Sequence, residues 1–228
     1  MKKFTDSEII DVVRYSERQI IVVEKRLAAD LVKPGSNYYL LNLDTGDKEA
    51  VTAGVYYMKK FGASSYKKIS EQITSAAQCE AVIMPSRDVF VIFPNGQCGL
   101  FSPYGELQWT KTLTYNDKEV NALAADGDYI WCCCRDEDCV LRYSTDNFKV
   151  DLRIGGKGAD TFRAPNFLSA DEDSIYVCCN NRKLRRIDRS NFTVSDVSDG
   201  IPQLQKFYRF GKYSLLCTAD GAYLGEDE

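Results

Sequence analysis

The chain has 228 residues, 44% of them hydrophobic and 27% charged, so it can bury a sizeable core in the manner of a soluble globular protein. Its net charge of −4 supplies no general attraction for nucleic acid or anionic lipid. It contains no histidine, which excludes Ser-His-Asp and Cys-His catalysis, HExxH zinc hydrolysis and every zinc site that needs an imidazole.

At the start, Met1-Lys2-Lys3 resembles the head of a signal peptide, but Asp6 and Glu8 follow instead of an apolar run. Nowhere do eighteen apolar residues stand together, so no membrane span is expected and the chain reads as cytoplasmic. The first ordered elements are the apolar run "IIDVVRY" (9–15), then "QIIVVE" (19–24) and "NYYLLNLDTGDKEAVT" (37–52). A basic insertion at about 55–79 follows, with Lys59, Lys60, Lys67 and Lys68. Within it Tyr66, Ile69 and Ile73 fall at i, i+3 and i+7, the spacing of a short amphipathic helix laid on the rest of the molecule. An ordinary packed insertion is the plainer reading, and an element that docks a partner or touches nucleic acid is the sharper one.

The pattern then repeats. "CEAVIMPS" precedes "VFVIFPNGQCGLFSPYGELQWTKTL", "VNALAADGD" precedes "IWCCCRDEDCVLRYSTDNFKVD", "PNFLSADED" precedes "IYVCCNNRKLRRIDRSNFTVSD", and "LQKFYRFGK" precedes "YSLLCTADGAYLGE". Each copy reads as four short strands divided by Gly, Asp, Asn and Ser turns. From the second copy on, the longer runs begin about 40, 46 and 38 residues apart, the length of a β-propeller blade. The expected fold is therefore all-β: residues 1–228 form one small propeller domain, of five four-stranded blades, with four or six blades as alternatives. The last copy stops one strand short and residues 2–5 precede the first, so the two ends are expected to pair and close the ring.

Three cysteines in a row, Cys132, Cys133 and Cys134, with Cys139 beyond them, raise the question of a metal or redox site. In the aligned copies one strand position reads Val23, Phe93, Cys133, Cys178 and Cys217, and the position before it Val22, Ile92, Cys132, Val177 and Leu216. Cysteine stands where other copies hold Val, Ile, Leu or Phe. Neighbours on a strand point to opposite faces, so Cys132 and Cys133 cannot converge on one ion, and they read as small core hydrophobes. Cys134 and Cys139 flank the loop 135–138 and could face each other across a hairpin. Nine cysteines in irregular clusters do not make a disulfide framework, and neither the paired C-x2–4-C ligands nor the histidine that zinc needs is present. No metal, no cofactor and no catalytic residue is assigned.

The span "IGGKGADTFRAPNFLSADEDSIYVCCNNRKLRRID" (154–188) resembles one NHL repeat, in Gly155, Gly156, Gly158, Phe162, Pro165, Ala170-Asp171, Ile175-Tyr176-Val177, Asn181 and Asp188. "YGELQW" (104–109) is similar to quinoprotein-type repeats. The resemblance implies a propeller of the NHL or lactonase-like kind, a group that mostly mediates protein or RNA binding. Some relatives are metal-dependent hydrolases with Glu, Asn and Asp around the channel, and no such set transfers residue by residue onto this chain.

In a four-stranded blade the loops between second and third strands and the blade-to-blade connections emerge at one end. Here that end collects the long, unlike loops: 25–37, 55–79, Asn95-Gly96, Tyr115–Glu119, Arg135–Asp138, Gly155–Arg163 and Asn180–Lys183. The other end carries short acidic turns, Asp126–Asp128 and Asp171–Asp173, which read as turn chemistry rather than calcium ligands. The candidate ligand-binding residues are Arg135, Lys157, Arg163, Asn180, Asn181 and Arg182, weighed against a merely solvated rim. Lys157 lies in Gly-Gly-Lys-Gly, but the phosphate-loop pattern is not completed. The expected function is a non-enzymatic binding propeller for a protein, peptide or glycan, with nucleic acid not expected. The alternative is a small carboxylate-dependent hydrolase or lyase, glycosidase- or lactonase-like, for which the innermost strands offer Asp11 and Glu80.

Overall fold

A computed structural model of the chain describes residues 1–26, 35–73 and 79–226. Blade 1 contains β2 (Ile9–Arg14), β3 (Gln19–Arg26), β4 (Gly35–Asn42) and β5 (Lys48–Ala50). Two helices follow, α1 (Ala53–Phe61) and α2 (Tyr66–Gln72). Blade 2 contains β6 (Glu80–Ile83), β7 (Val89–Ile92), β8 (Gln97–Phe101) and β9 (Leu107–Thr112), trailed by a small hairpin of β10 (Thr114–Tyr115) and β11 (Lys118–Glu119). Blade 3 contains β12 (Asn121–Asp126), β13 (Tyr129–Cys134), β14 (Cys139–Ser144) and β15 (Val150–Gly155). Blade 4 contains β16 (Pro165–Ala170), β17 (Ser174–Cys179), β18 (Leu184–Asp188) and β19 (Val194–Ser198). Blade 5 takes β20 (Leu204–Phe210), β21 (Tyr213–Thr218) and β22 (Gly221–Glu226) from the C-terminal end, and β1 (Lys2–Thr5) from the N-terminal end. The protein is a five-bladed β-propeller.

Ring closure follows from β1 pairing antiparallel with β22, Lys2 opposite Leu224 and Lys3 opposite Tyr223. The innermost strands β2, β6, β12, β16 and β20 line the central channel. Blade turns recur in detail: Phe148 and Phe192, each after an Asn, both sit at positive φ, and the Asn147 and Asn191 side chains accept from the backbone two residues on. Among the described residues no helix is long and apolar enough to cross a membrane.

The core is divided between blades, as strands apolar on both faces require. Along β13 the side chains alternate: Ile130, Cys132 and Cys134 pack toward blade 2, Trp131 and Cys133 toward blade 4. Cys178 and Cys217 likewise fill the contact of blades 4, 5 and 1. All nine cysteines are buried. One expected equivalence needs correction. The register sets Ile92, not Phe93, at the position of Cys133, because β7 ends at Ile92 opposite Glu80, as Cys133 stands opposite Asn121. Phe93 instead closes the hairpin, its N–H bonded to the Gln97 carbonyl.

Between blades 1 and 2 the arrangement differs. Ile21 and Val23 of blade 1 pack on Tyr56 of α1, while Val89 and Val91 of blade 2 pack on Phe61 and Ile69. The helices are a wedge that replaces a direct blade-to-blade contact. α2 carries the expected apolar face, Ile69 fully buried and Tyr66 half-buried, and Ile73, just past its end, is nearly buried. The extra chain between the first two copies is thus helical, not a further blade.

Candidate functional site at the looped end of the channel

Every innermost strand opens with a polar residue inside an apolar run: Asp11, Glu80, Asn121, Asn166 and Lys206. Register places them at one level, Asp11 opposite Val23, Glu80 opposite Ile92, Asn121 opposite Cys133 and Lys206 opposite Cys217. Asn166 occupies the bulge between Pro165 and Phe167. Bulges also fall beside Asp11 and Lys206, where the extra residue re-aims the side chains of the strand. This level lies toward the looped end, where the chain enters each blade.

The charges there are tightly paired. Asp11 Oδ2 accepts from Lys60 Nζ at 2.5 Å and from the Tyr56 hydroxyl at 2.5 Å, and Lys60 Nζ lies 2.9 Å from that hydroxyl. Lys206 Nζ donates to the Ile10 carbonyl. Burial opposes ionisation of Asp11, but Lys60, Lys206 and the Tyr56 hydroxyl prevail and hold its carboxyl below the usual range. Glu80 moves the other way: burial and then the Asp11 charge push its carboxyl up. Burial lowers and Asp11 raises the Lys60 ammonium, which ends above the ordinary lysine value. Two polar atoms at this level, Asn121 Oδ1 and Asn166 Oδ1, are buried without partners, as is the Tyr208 hydroxyl two residues beyond Lys206.

Around this channel the loops form a rim. The chain turns through Arg135–Glu137 in a 3-10 turn, and Asp138 follows in the left-handed region at φ 52°. Asp138 Oδ1 accepts from the Ala164 N–H at 2.7 Å, tying the blade 3 loop to the connection into blade 4. Gly155 is needed there: at φ +80° a Cβ would stand 2.8 Å from Phe162 Cδ2 and 2.9 Å from the Asp138 carbonyl oxygen. The Asn180 N–H donates to the Arg163 carbonyl at 3.2 Å, and the Ile201 N–H to the Arg182 carbonyl at 3.1 Å. The loop 180–183, which carries Arg182, is therefore tied to Arg163 on one side and to Ile201 on the other.

The six residues singled out from the sequence are distributed as follows. Arg135, Arg163 and Arg182 are exposed, and among the described residues none has an ion-pair partner. Lys157 pairs with Glu137 at 3.3 Å. Asn180 Oδ1 accepts from Asn166 Nδ2 at 2.9 Å, and Asn181 Oδ1 is buried without a partner. Segments 27–34 and 74–78 of the looped end lie outside the described residues.

The remaining motifs resolve into structure. Cys134 stands opposite Cys139, and their thiols hydrogen-bond, which lowers the first and raises the second. Burial pushes the thiols of Cys79 and Cys98 up to about 11 and that of Cys217 to about 12, away from the thiolate that metals require. No cluster of three or more His, Cys, Asp or Glu able to hold a metal occurs among the described residues. In the acidic turns, Asp171 accepts from the Asp173 and Ser174 N–H groups and from the Tyr176 hydroxyl, and Asp126 pairs with Arg189.

Sequence reasoning missed Lys60, Tyr56, Lys206 and Tyr208 around Asp11 and Glu80, and Asn121 and Asn166 at the same register level. A signal was present: the polar residue near the start of each inner-strand run.

No protein-family model matches the chain, and no curated protein matches it. Among solved structures, a chain in the crystal structure of a nidogen/laminin complex aligns at TM-score 0.52 and 11% identity, over 93% of this chain and 73% of that one. A streptogramin B lyase aligns at TM-score 0.48 and 10% identity, over 97% and 69%. Virginiamycin B lyase from Staphylococcus aureus aligns at TM-score 0.48 and 12% identity, over 99% and 72%. What the first of these shares with the chain is its fold.

Proposed function

We propose that this propeller binds its ligand rather than transforming it, and that an acidic group of a protein, peptide or glycan seats on the looped rim. The observation that carries the reading is the set of exposed guanidinium groups of Arg135, Arg163 and Arg182, without ion-pair partners among the described residues, on loops joined by hydrogen bonds through the backbone and the Asp138 side chain. A guanidinium presents a planar fork that matches a carboxylate or phosphate, and Lys157 adds charge beside it. Loops already held by one another give up little entropy on binding. The test is a comparison of wild type with the Arg163→Ala/Arg182→Ala variant on acidic-peptide and glycan arrays. Binding should vanish while the unfolding curve moves by no more than about 0.5 kcal/mol, as for exposed substitutions. Full binding by the variant, lost instead on changing the Asp126–Asp128 and Asp171–Asp173 turns, would put the ligand on the opposite face.

One observation favours a second reading, a carboxylate-dependent hydrolase or lyase. The Asp11 carboxyl is held below its usual value and the Glu80 carboxyl pushed above its own, a separation of the kind that acid–base catalysis uses. Against it, Asp11 Oδ2 is already bonded to Lys60 and Tyr56. Turnover of nitrophenyl glycosides or of simple lactones that disappears in Glu80→Gln would replace the binding reading with this one.

A further inference from the structure

The channel inside the rim has hydrogen-bonding capacity of its own. Asn121 Oδ1, Asn166 Oδ1 and the Tyr208 hydroxyl are buried and unpartnered, and Tyr208 as a whole is only 8% exposed. An amide oxygen or hydroxyl shut away from water without a partner is costly, so such atoms mark a place where something else completes them. Glu80, Asn121, Asn166 and Lys206 remain partly exposed, and the surface that an innermost strand exposes faces the channel. Tyr208 stands two residues from Lys206 on the same strand, and both lie against the Phe167 ring, so it belongs to the same cluster.

The charged groups of this cluster balance in number, two carboxyls (Asp11 and Glu80) against two ammoniums (Lys60 and Lys206). Asp11 holds Lys60 at 2.5 Å, and Glu80 stands in the field of Lys206 and Lys60. A ligand bearing a full charge of either sign would meet opposed charges and still lose its hydration. Hydroxyl groups suit the site better, because each can donate to an amide or phenol oxygen and accept from the Lys206 ammonium or the Tyr208 O–H. Glu80, Asn121, Asn166 and Lys206 come from four innermost strands at one register level, and Tyr208 follows two residues beyond Lys206, opposite Leu215, so several hydroxyls on one ring can be met together.

We infer that the looped mouth of the channel is a binding site for a neutral polyhydroxylated molecule, a sugar or a cyclitol, held by Glu80, Asn121, Asn166, Lys206 and Tyr208. No rim arginine takes part, so this site and the rim site stand or fall separately.

The test is calorimetric titration, with saturation-transfer NMR, of the full chain against glucose, galactose, cellobiose and myo-inositol, with gluconate and glucosamine as charged counterparts. At least one neutral probe should bind saturably. Asn166→Ala should weaken it by about tenfold or more, the worth of one lost hydrogen bond to a buried acceptor. Because Asn166 also bonds Asn180, Asn121→Ala is the second variant, and unfolding curves establish that both are folded. Arg163→Ala/Arg182→Ala should leave sugar binding unchanged. The inference is overturned by a channel that binds none of the neutral probes and so holds only water, by binding of the charged probes alone, or by sugar binding that survives both asparagine substitutions. Sugar binding lost in the rim variant overturns it too. Failure of the rim proposal is read separately, from the arrays.

Discussion

Replacing Lys60 with Met should loosen the wedge between blades 1 and 2. Met keeps the length of the side chain and its packing on Tyr56 and Phe61, so the change isolates the charge. The two side chains of the pair are 3% and 6% exposed, and without Lys60 the Asp11 carboxylate is left buried with the Tyr56 hydroxyl and the Lys206 field. Removing one partner of a buried pair costs about 3–5 kcal/mol, a large share of the roughly 5–15 kcal/mol that holds a domain folded. For a chain of this size each kcal/mol moves Tm by about 2–4 °C, so a fall of roughly 6–20 °C is expected in thermal unfolding followed by circular dichroism. The Lys60→Met/Asp11→Asn double variant buries no uncompensated charge, and Tyr56 can still donate to the amide oxygen, so most of the loss should be regained. The pH dependence has a definite sign. Asp11 is held below its usual value, so its stabilisation is present above the unfolded carboxyl pKa and is lost as pH falls through the folded one. Lys60 is held above its usual value, so its contribution is complete below the unfolded lysine pKa and is lost as pH rises through the folded one. The pair therefore holds throughout the neutral range. In Lys60→Met the Asp11 carboxyl turns upward, and mild acidification should narrow the gap to wild type. A loss below about 1 kcal/mol, the worth of an exposed ion pair, would refute a buried anchor. So would a double variant no more stable than the single one.

Removing residues 1–7 strips β1 from β22 and bares a sheet edge, so Tm should fall and the truncated protein should associate at high concentration; an unchanged melting curve would count against closure by the two ends. Thiol titration should find few reactive groups in the native protein and all nine after denaturation, since every cysteine is buried; rapid native labelling of several would contradict the core role. Gly105→Ala should cost about 1–3 kcal/mol in urea unfolding, the range for overpacking. At φ +80° its Cβ would stand 2.7 Å from the Ser65 carbonyl oxygen and 2.9 Å from Lys68 Cβ, where blade 2 meets α2. Wild-type stability in that variant would show that the turn and the helix do not touch.

The four-strand unit and its repetition could be read from the chain alone, because alternation of side chains along a strand and Gly, Asp and Asn turns are local properties. The same locality made the cysteines legible as core, since aligned copies put Val and Ile in their places. It failed at Phe93: β7 is apolar on both faces, so a one-residue slip leaves the pattern looking the same, and only pairing with β6 decides it. Lys59 and Lys60 are indistinguishable in the sequence, yet one reaches the Tyr15 carbonyl at 3.1 Å while the other meets Asp11, 49 residues away. Lys206 and Ile10 lie 196 positions apart and touch because the ring closes. Periodicity along the chain decides which residues become strands. Which charge neutralises which, and which polar atoms share a channel, depends on contacts between blades that no local pattern encodes.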